Sequence, residues 1–465
     1  MELEVKFFCG QGIKGKNMWN SRIKPLFFCT GLVALLVLAV AFYSYAAEGL
    51  TLEQAVATAL ENNPGLKAAD AQVQAAQAGV LRSSSGFLPK VTLSETYSKT
   101  NNPLMVFGTK LNQEIVGAAD FDPAAINDPG AIENYNTRLA VMQPVFNGGR
   151  EYLGVKQARL GRDASLQDRE RTRQETVYNV IKAYHSLLLA RESHKVALKS
   201  LEASTANVKL AEARYRAGAV LQSDLLRAKV QYAEVKEMVT RSDNGAKLAA
   251  AGLNFAMGVP QSREYEIAGA LAPQELKADI EVLLQDAAVR RPDLLSMGLN
   301  RKNAEVSVSQ ARTDYLPTLN LMGQVDWNSS DPAGNDARSW AVMAVFQLNL
   351  FDGLVTKSKV RESLATARKV RELEEQTRSA VQLQVRQAYY NLVASEDRIA
   401  ATSSSVQEAE EGLRIVQKRY EAGMTTFVDV LGAENSLIRA RTNALQALYD
   451  NNVSLAELKL AVGTL

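Results

Sequence analysis

The sequence predicts a mainly α-helical fold with a membrane β-barrel portion, built as two tandem structural repeats. Three observations support this prediction. Sequence elements recur in the same order in both halves of the chain, two long stretches contain no proline, and four short segments alternate apolar with polar residues. With 465 residues, of which 22% are charged and 46% hydrophobic, the chain has the composition of a folded protein rather than a disordered one.

The N-terminus has the features of an export signal, which we assign to residues 1–46. Basic residues precede an apolar run, and the segment SYA at 44–46 then places small residues at a cleavage site. The alternative is a membrane anchor, but the run is shorter than the ~20 residues that a spanning helix needs. Both cysteines, Cys9 and Cys29, lie in this segment, so we expect a mature chain without a disulfide or a thiolate metal site.

The repeat is clearest in paired sequence elements. RYRAG at 214–218 recurs as RYEAG at 419–423, and the segment at 145–149, VFNGG, is matched by LFDGL at 350–354. Two common offsets relate all such pairs, because the first half contains one insertion. Similarity at a fixed spacing is typical of a duplicated structural unit. The predicted repeats cover residues 47–273 and 274–465.

The placement of proline predicts the helices. Residues 145–259 and 333–465 contain no proline, and an interior proline would cost a helix ~3 kcal/mol. Both stretches are rich in helix-forming residues, with apolar residues three and four positions apart. One helix from 149 to 217 would be ~100 Å long, and a second would run from 354 to 422. The glycine of each RY-x-AG element then permits a tight reversal into a returning helix.

Four segments with a period of two residues predict β-strands. One face of each is apolar, the other is polar, and aromatic residues lie near the ends, as in transmembrane strands of ~9–11 residues. The alternative is an ordinary sheet packed on helices, but no sufficiently apolar segment remains to cover the outer face. Four strands cannot close into a barrel, so we expect several copies to assemble. The segments lie near residues 91–97, 135–145, 319–327 and 340–348.

The two connections between these strands differ in length. Residues 99–134 contain the insertion, which is acidic and carries three prolines, so we predict a long loop outside the membrane. The second connection, residues 328–337, is predicted to be a short loop.

The sequence lacks the residue patterns of an enzyme, so we assign no catalytic residue. His185 and His194 are the only histidines, and nine residues on one helix place them on opposite faces, where they cannot bind one metal ion together. No phosphate-binding loop or metal-ligand spacing occurs, and we expect no cofactor and no bound metal. Basic and acidic residues are nearly balanced, with a formal net charge of +2, and no basic stripe predicts a nucleic-acid partner.

The ordered set of motifs resembles the TolC family of outer-membrane efflux proteins. The resemblance covers the chain after Ala46 and includes the LTLEQAVATALENNP opening, the FLP and YLP strand entries, the FNGG and FDGL strand exits, and both RY-x-AG elements. It implies a homotrimer with a 12-stranded barrel in the outer-membrane lipid of a Gram-negative bacterium and an α-helical tunnel in the periplasm. It also implies a passive exit duct for multidrug efflux or type I secretion, opened by a periplasmic adaptor (membrane fusion) protein and an inner-membrane RND or ABC transporter.

The resemblance further implies roles for residues near the helical tips. Asp429 matches an aspartate that lines the narrowest point of the tunnel, where three copies would attract cations and crowding would raise their pKa. Asp224 and Tyr420 match a pair that links neighbouring hairpins. Ser223 and Thr425 stand at a second link, with Thr425 in place of the family's arginine. The tip residues implied in adaptor docking are Arg214, Tyr215, Gly218, Arg419 and Gly423.

A periplasmic coiled-coil adaptor or scaffold is the alternative function. Such a protein would also carry an export signal and long helical hairpins. The duplication and the four amphipathic strands favour the channel, because an adaptor has one hairpin flanked by small β-domains, which this sequence lacks.

Overall fold

The computed structural model describes residues 49–276 and 278–465, of which Thr51–Leu465 form one compact unit. The predicted export signal, residues 1–46, lies outside the described residues. The order of the main elements is α1 (Leu52–Asn62), α2 (Pro64–Ser84), β1 (Lys90–Thr100), α3 (Pro103–Asn112), α4 (Pro123–Asn127), β2 (Ile132–Asn147), α5 (Arg150–Arg216), α6 (Gln222–Met257), α7 (Ile280–Arg290), α8 (Pro292–Arg312), β3 (Thr318–Ser329), β4 (Ala337–Gln347), α9 (Val355–Glu421) and α10 (Phe427–Val462).

The long helices agree with the prediction from proline placement. Helices α5 and α9 each contain 67 residues, about 100 Å at the α-helical rise, and the returning helices α6 and α10 each contain 36. Each returning helix ends at a glycine with positive φ, Gly258 or Gly463. A side chain at Gly258 would come within 2.8 Å of the backbone of Asn62, so the close approach of α1 also requires glycine there.

The short helices before each pair of strands are also matched in length. Helices α1 and α7 have 11 residues each, and α2 and α8 have 21 each. The first turns of α1 and α2 are stabilised by side-chain caps. Thr51 caps α1 in a capping box with Gln54, and the Asn63 side chain caps α2 immediately before Pro64.

The buried core lies part of the way along the long helices. Helices α5 and α6 pack as one hairpin, α9 and α10 as another, and α5 also packs against α2 and α8. Arg291, only 2% exposed, pairs with Asp293 and donates to the Ala461 carbonyl, so its charge is compensated within this core. One apolar cluster joins α7, α8, α9 and α10 through Leu283, Ala287, Leu294, Val381, Val385, Ala388, Leu392, Leu455, Leu458, Ala461 and Val462. Among the described helices, none combines the length and the apolar character needed to cross a membrane.

The four strands form one antiparallel sheet in chain order, with β1 and β4 at its edges. The register places Leu93 opposite Leu139, and Val325 opposite both Leu139 and Trp340. These residues belong to one apolar face of the sheet, which stays uncovered in the single chain: Leu93 is 72% exposed and Trp340 is 73% exposed. The predicted strands and their alternation are therefore confirmed.

The connection between β1 and β2 is more ordered than the sequence suggested. The sequence predicted a loop over residues 99–134, but the structure has helix α3, a short 3-10 helix and helix α4 between the two strands. Two of the three prolines that indicated a loop begin helices instead, because Pro103 and Pro123 occupy first-turn positions where no backbone donor is needed. Pro129 lies outside the helices. The second connection is short, as predicted, and spans residues 330–336.

Candidate functional site

The two helical reversals have the same backbone geometry. Gly218 has φ +71° and Gly423 has φ +73°, the left-handed conformation that glycine adopts without strain. After the first long helix the amide of Ala219 donates to the Arg214 carbonyl at 2.8 Å, and after the second the Met424 amide donates to the Arg419 carbonyl at 2.8 Å. These bonds satisfy the last helical carbonyls in a Schellman motif. The predicted reversals are confirmed.

The two returning helices start differently. Helix α10 begins with a capping box, in which Thr426 Oγ1 accepts from the Asp429 amide and Asp429 Oδ2 accepts from the Thr426 amide at 2.9 Å. Helix α6 has Leu221 at the corresponding position, and Leu221 makes no side-chain cap. The second tip is therefore held by a side-chain network that the first tip does not have.

Asp429, the predicted constriction residue, is the centre of this network. Its Oδ2 atom accepts from the Thr425 hydroxyl at 2.6 Å and from the Thr426 hydroxyl at 2.7 Å. These hydrogen bonds, first that of Thr425, lower the pKa of Asp429 from 3.8 to about 2, and the charge of Arg419 adds to the effect. The shift in the single chain is opposite to the rise expected from crowding, because that expectation did not include the local donors.

Tyr420 and Arg214, predicted on different hairpins, are in contact. The Arg214 guanidinium lies 4.6 Å from the centroid of the Tyr420 ring, which suits a cation–π interaction. The ring packs against Phe427 at a centroid distance of 5.6 Å, and Tyr420 is only 9% exposed. The two tips therefore share a small buried cluster that contains Ala211, Ala228, Tyr420, Phe427 and Val430.

The other predicted link residues lie near this cluster but are not joined to one another. Ser223 is exposed and Asp224 is half-buried, both in the first turn of α6. Within residues 49–276 and 278–465 of one chain, no hydrogen bond joins Asp224 to Tyr420. Thr425 bonds to Asp429 of its own hairpin, and Tyr215 is 41% exposed. Any link between neighbouring copies stays a prediction.

Sequence reasoning missed two further polar contacts between the hairpins. Asn207 donates to Glu434 Oε1 at 2.7 Å, and Gln231 donates to Asn435 Oδ1 at 3.1 Å. Glu434 is 8% exposed, and burial raises its pKa despite the opposing hydrogen bond from Asn207. A signal was present in the sequence, because Glu434 follows Val430 by four residues and so continues the apolar face of α10.

The two histidines lie in different surroundings. The ring nitrogen Nδ1 of His194 lies 2.9 Å from the Ser242 hydroxyl, and burial lowers the pKa of His185. No group of three or more His, Cys, Asp or Glu side chains able to hold a metal ion occurs among the residues that the structure describes.

The fold combines two long helical hairpins with a small antiparallel sheet. The chain belongs to the outer membrane efflux protein family, whose model matches residues 55–259 and 283–464. Outer membrane protein TolC of Escherichia coli is 25% identical over 454 residues, covering 93% of this chain and 86% of the relative. Protein CyaE of Bordetella pertussis is 24% identical over 399 residues, with 85% and 80% covered.

A solved structure shows the same fold. The Campylobacter jejuni CmeC outer membrane channel superposes with a TM-score of 0.76 at 18% identity, covering 89% of this chain and 85% of that one. The family and this fold place the protein in the outer membrane and favour the channel over the periplasmic adaptor.

Proposed function

We propose that the protein is the outer-membrane exit duct of a tripartite efflux or type I secretion system. The observation that carries the proposal is the four-stranded sheet, which has two unpaired edges, β1 and β4, and an uncovered apolar face. When three copies close a 12-stranded barrel in lipid, the unpaired edge strands pair with those of neighbouring copies, and lipid covers the exposed apolar face. The 67-residue helices then continue from the barrel as a periplasmic tunnel.

The proposed trimer is built from two tandem repeats in each copy, residues 47–273 and 274–465. The matched lengths of the four helix pairs support this duplication. Two reversals in each chain give six near-equivalent tips in a trimer. Such a rim suits a ring of adaptor hairpins that contact Arg214, Tyr215, Gly218, Arg419 and Gly423.

Closure is proposed to occur at the same end of the tunnel. Three copies of Asp429 form a carboxylate ring that attracts cations and repels anions. Asp224 links to Tyr420 of a neighbouring hairpin, and Ser223 and Thr425 form the second, uncharged link. Docking of the adaptor and of an inner-membrane RND or ABC transporter separates these links and opens the duct, which itself performs no chemistry.

The size of the solubilised protein tests this proposal. The purified protein should be a trimer that needs detergent to stay in solution, since its apolar faces are otherwise exposed to water. A water-soluble monomer with all four strands intact would contradict the proposal. Terminal sequencing of the same material tests the export signal, with the mature chain expected to begin after residue 46.

A further inference from the structure

The connection between β1 and β2 folds back over one face of the sheet. Helix α3 lies against strands β2 and β4, at the end of the sheet remote from the long helices. Just after α3, the Gln113 side chain donates to the Glu133 carbonyl at 2.8 Å and to Asn134 Oδ1 at 2.9 Å. Gln113 is only 4% exposed, so the connection is anchored to the sheet rather than projecting from it.

The hydrogen bonds of Gln113 continue across the sheet through a chain of amide side chains. The Asn134 side chain donates to Asn328 Oδ1 at 3.0 Å, and Asn136 donates to the same oxygen at 3.1 Å. Asn328 is 3% exposed and Asp326, on the same strand face, is 7% exposed. A buried amide that lacks a hydrogen-bond partner is destabilising, so these hydrogen bonds fix the position of the connection on the sheet.

The covered face is the polar one. Asn134, Asn136 and Asn328 alternate along their strands with residues of the apolar face, such as Tyr135, which pairs with Tyr97. On the covered face the opposite end of the sheet stays open, since Met343 is 42% exposed. The connection therefore covers only the outer end of the polar face.

This geometry determines on which side of the barrel wall, formed by the sheet, the connection between β1 and β2 lies. The inference rests on the proposed function, in which the apolar face meets lipid and the polar face lines the pore. A segment packed on the polar face then lies inside the pore, whereas a loop that extends into the medium would leave Asn328 exposed.

The connection is itself well folded and carries an apolar surface away from the sheet. Lys110 pairs with Asp120 at 2.6 Å, and Phe107 packs edge-on against Phe121. On α3 the side opposite the buried Val106 carries Leu104, 82% exposed, and Leu111, 52% exposed. These two side chains point away from the sheet that α3 covers.

We propose that three copies of this connection form a second constriction at the outer mouth of the pore. In the trimer, the exposed side of each α3 faces the threefold axis and the other two copies. The outer mouth is thereby narrowed by apolar side chains, independently of the carboxylate ring at the periplasmic tips.

Cross-linking between copies tests this placement. Leu104→Cys should be joined to its neighbours by a short bifunctional thiol reagent, because all three copies lie near the axis. Leu93→Cys is the matched control, since Leu93 is similarly exposed at 72% but lies on the apolar face, directed away from the axis. Covalent dimers and trimers are expected from Leu104→Cys and none from Leu93→Cys.

The same cross-linking measurement tests whether the hydrogen bonds of Gln113 hold the connection on the sheet. Adding Gln113→Ala to Leu104→Cys should lower the cross-linking yield about twofold or more, because the segment loses both hydrogen bonds to the wall. Adding Asn112→Ala, an exposed neighbour, should leave the yield unchanged. A detergent-stable trimer without cross-links at Leu104→Cys would overturn the constriction alone, whereas failure to form any trimer would overturn the proposed function.

Discussion

The guanidinium of Arg214 lies 4.6 Å from the centroid of the Tyr420 ring, so the end of the first long helix contacts the end of the second. Arg214 also donates weakly to the Tyr420 carbonyl at 3.5 Å. The two hairpin tips of one chain thus form a single packed unit. Opening of the proposed tunnel must either move this unit as a whole or break its internal contacts.

Substitution of Tyr420 distinguishes a packing role from a gate link. Tyr420→Phe removes only the hydroxyl, and the proposed link to Asp224 predicts that it raises the resting conductance in planar-bilayer recordings, as Asp224→Ala should. Tyr420→Ala removes the buried ring as well, at a cost of about 3–5 kcal/mol. If Tyr420→Phe stays closed while Tyr420→Ala conducts, the residue acts by packing alone and the link is wrong.

Gly423 should tolerate some side chains and not others. A side chain there would meet nothing within 4 Å, so any penalty comes from the backbone φ of +73°. Gly423→Val should cost about 1–2 kcal/mol and weaken docking of the adaptor while the barrel still assembles. Gly423→Asn is the control, because asparagine enters this conformation more readily. Adaptor cross-linking at the wild-type level in Gly423→Val would count against the docking surface.

Asp429→Asn should reduce cation selectivity and block by multivalent cations in bilayer recordings, because it removes the charges of the proposed carboxylate ring. Asp224→Ala should instead raise the resting conductance and leave selectivity intact. If the two substitutions showed the reverse pattern, the ring would belong to Asp224.

The pH dependence of the Asp429 cap follows from its lowered pKa. The folded-state pKa of about 2 lies below the unfolded value of 3.8, so the stabilisation is complete above pH 3.8 and is lost as the pH falls towards 2. Protection factors, which compare the observed hydrogen exchange with the intrinsic rate at the same pH, should therefore fall over that window for amides at the start of α10. Protection that was lost instead near neutral pH would contradict the local hydrogen-bond network.

Glu434 should respond to pH in the opposite direction. Its folded-state pKa is raised above 4.5 by burial, so the contact between hairpins is strongest below pH 4.5 and weakens as the pH rises through the folded pKa. Glu434→Gln keeps an acceptor for Asn207 without the buried charge. It should slow hydrogen exchange around the contact at neutral pH and remove the pH dependence of the protection factors there. Faster exchange in this variant at neutral pH would show that the charge is stabilising.

The sequence predicts the long helices and strands well because their signals are local. Proline-free stretches, the tip glycines and the alternation of apolar residues each constrain the backbone where they occur. The cap at Asp429 was also readable in principle, since Thr426 precedes it by three residues in a capping-box spacing.

Contacts between distant segments were not predictable in the same way. The packing of Arg214 on Tyr420 and the bond from Asn207 to Glu434 join residues in different halves, and no local pattern fixes the relative rotation of two long helices. The fold of the 99–134 segment was missed for another reason. Proline indicates either a loop or a helix start, and the choice at Pro103 depends on whether the following helix can pack against the sheet.

Planar-bilayer recording of the purified native protein tests the central claim most directly, because a passive duct must conduct ions without an energy source. We expect discrete, cation-selective conductance steps of one size. They should be small at rest, because the proposed links hold the tips closed, and larger in Asp224→Ala. A detergent-stable trimer that inserts into the bilayer but gives no conductance above the bare membrane, in either the native protein or Asp224→Ala, would contradict the assignment as an export channel.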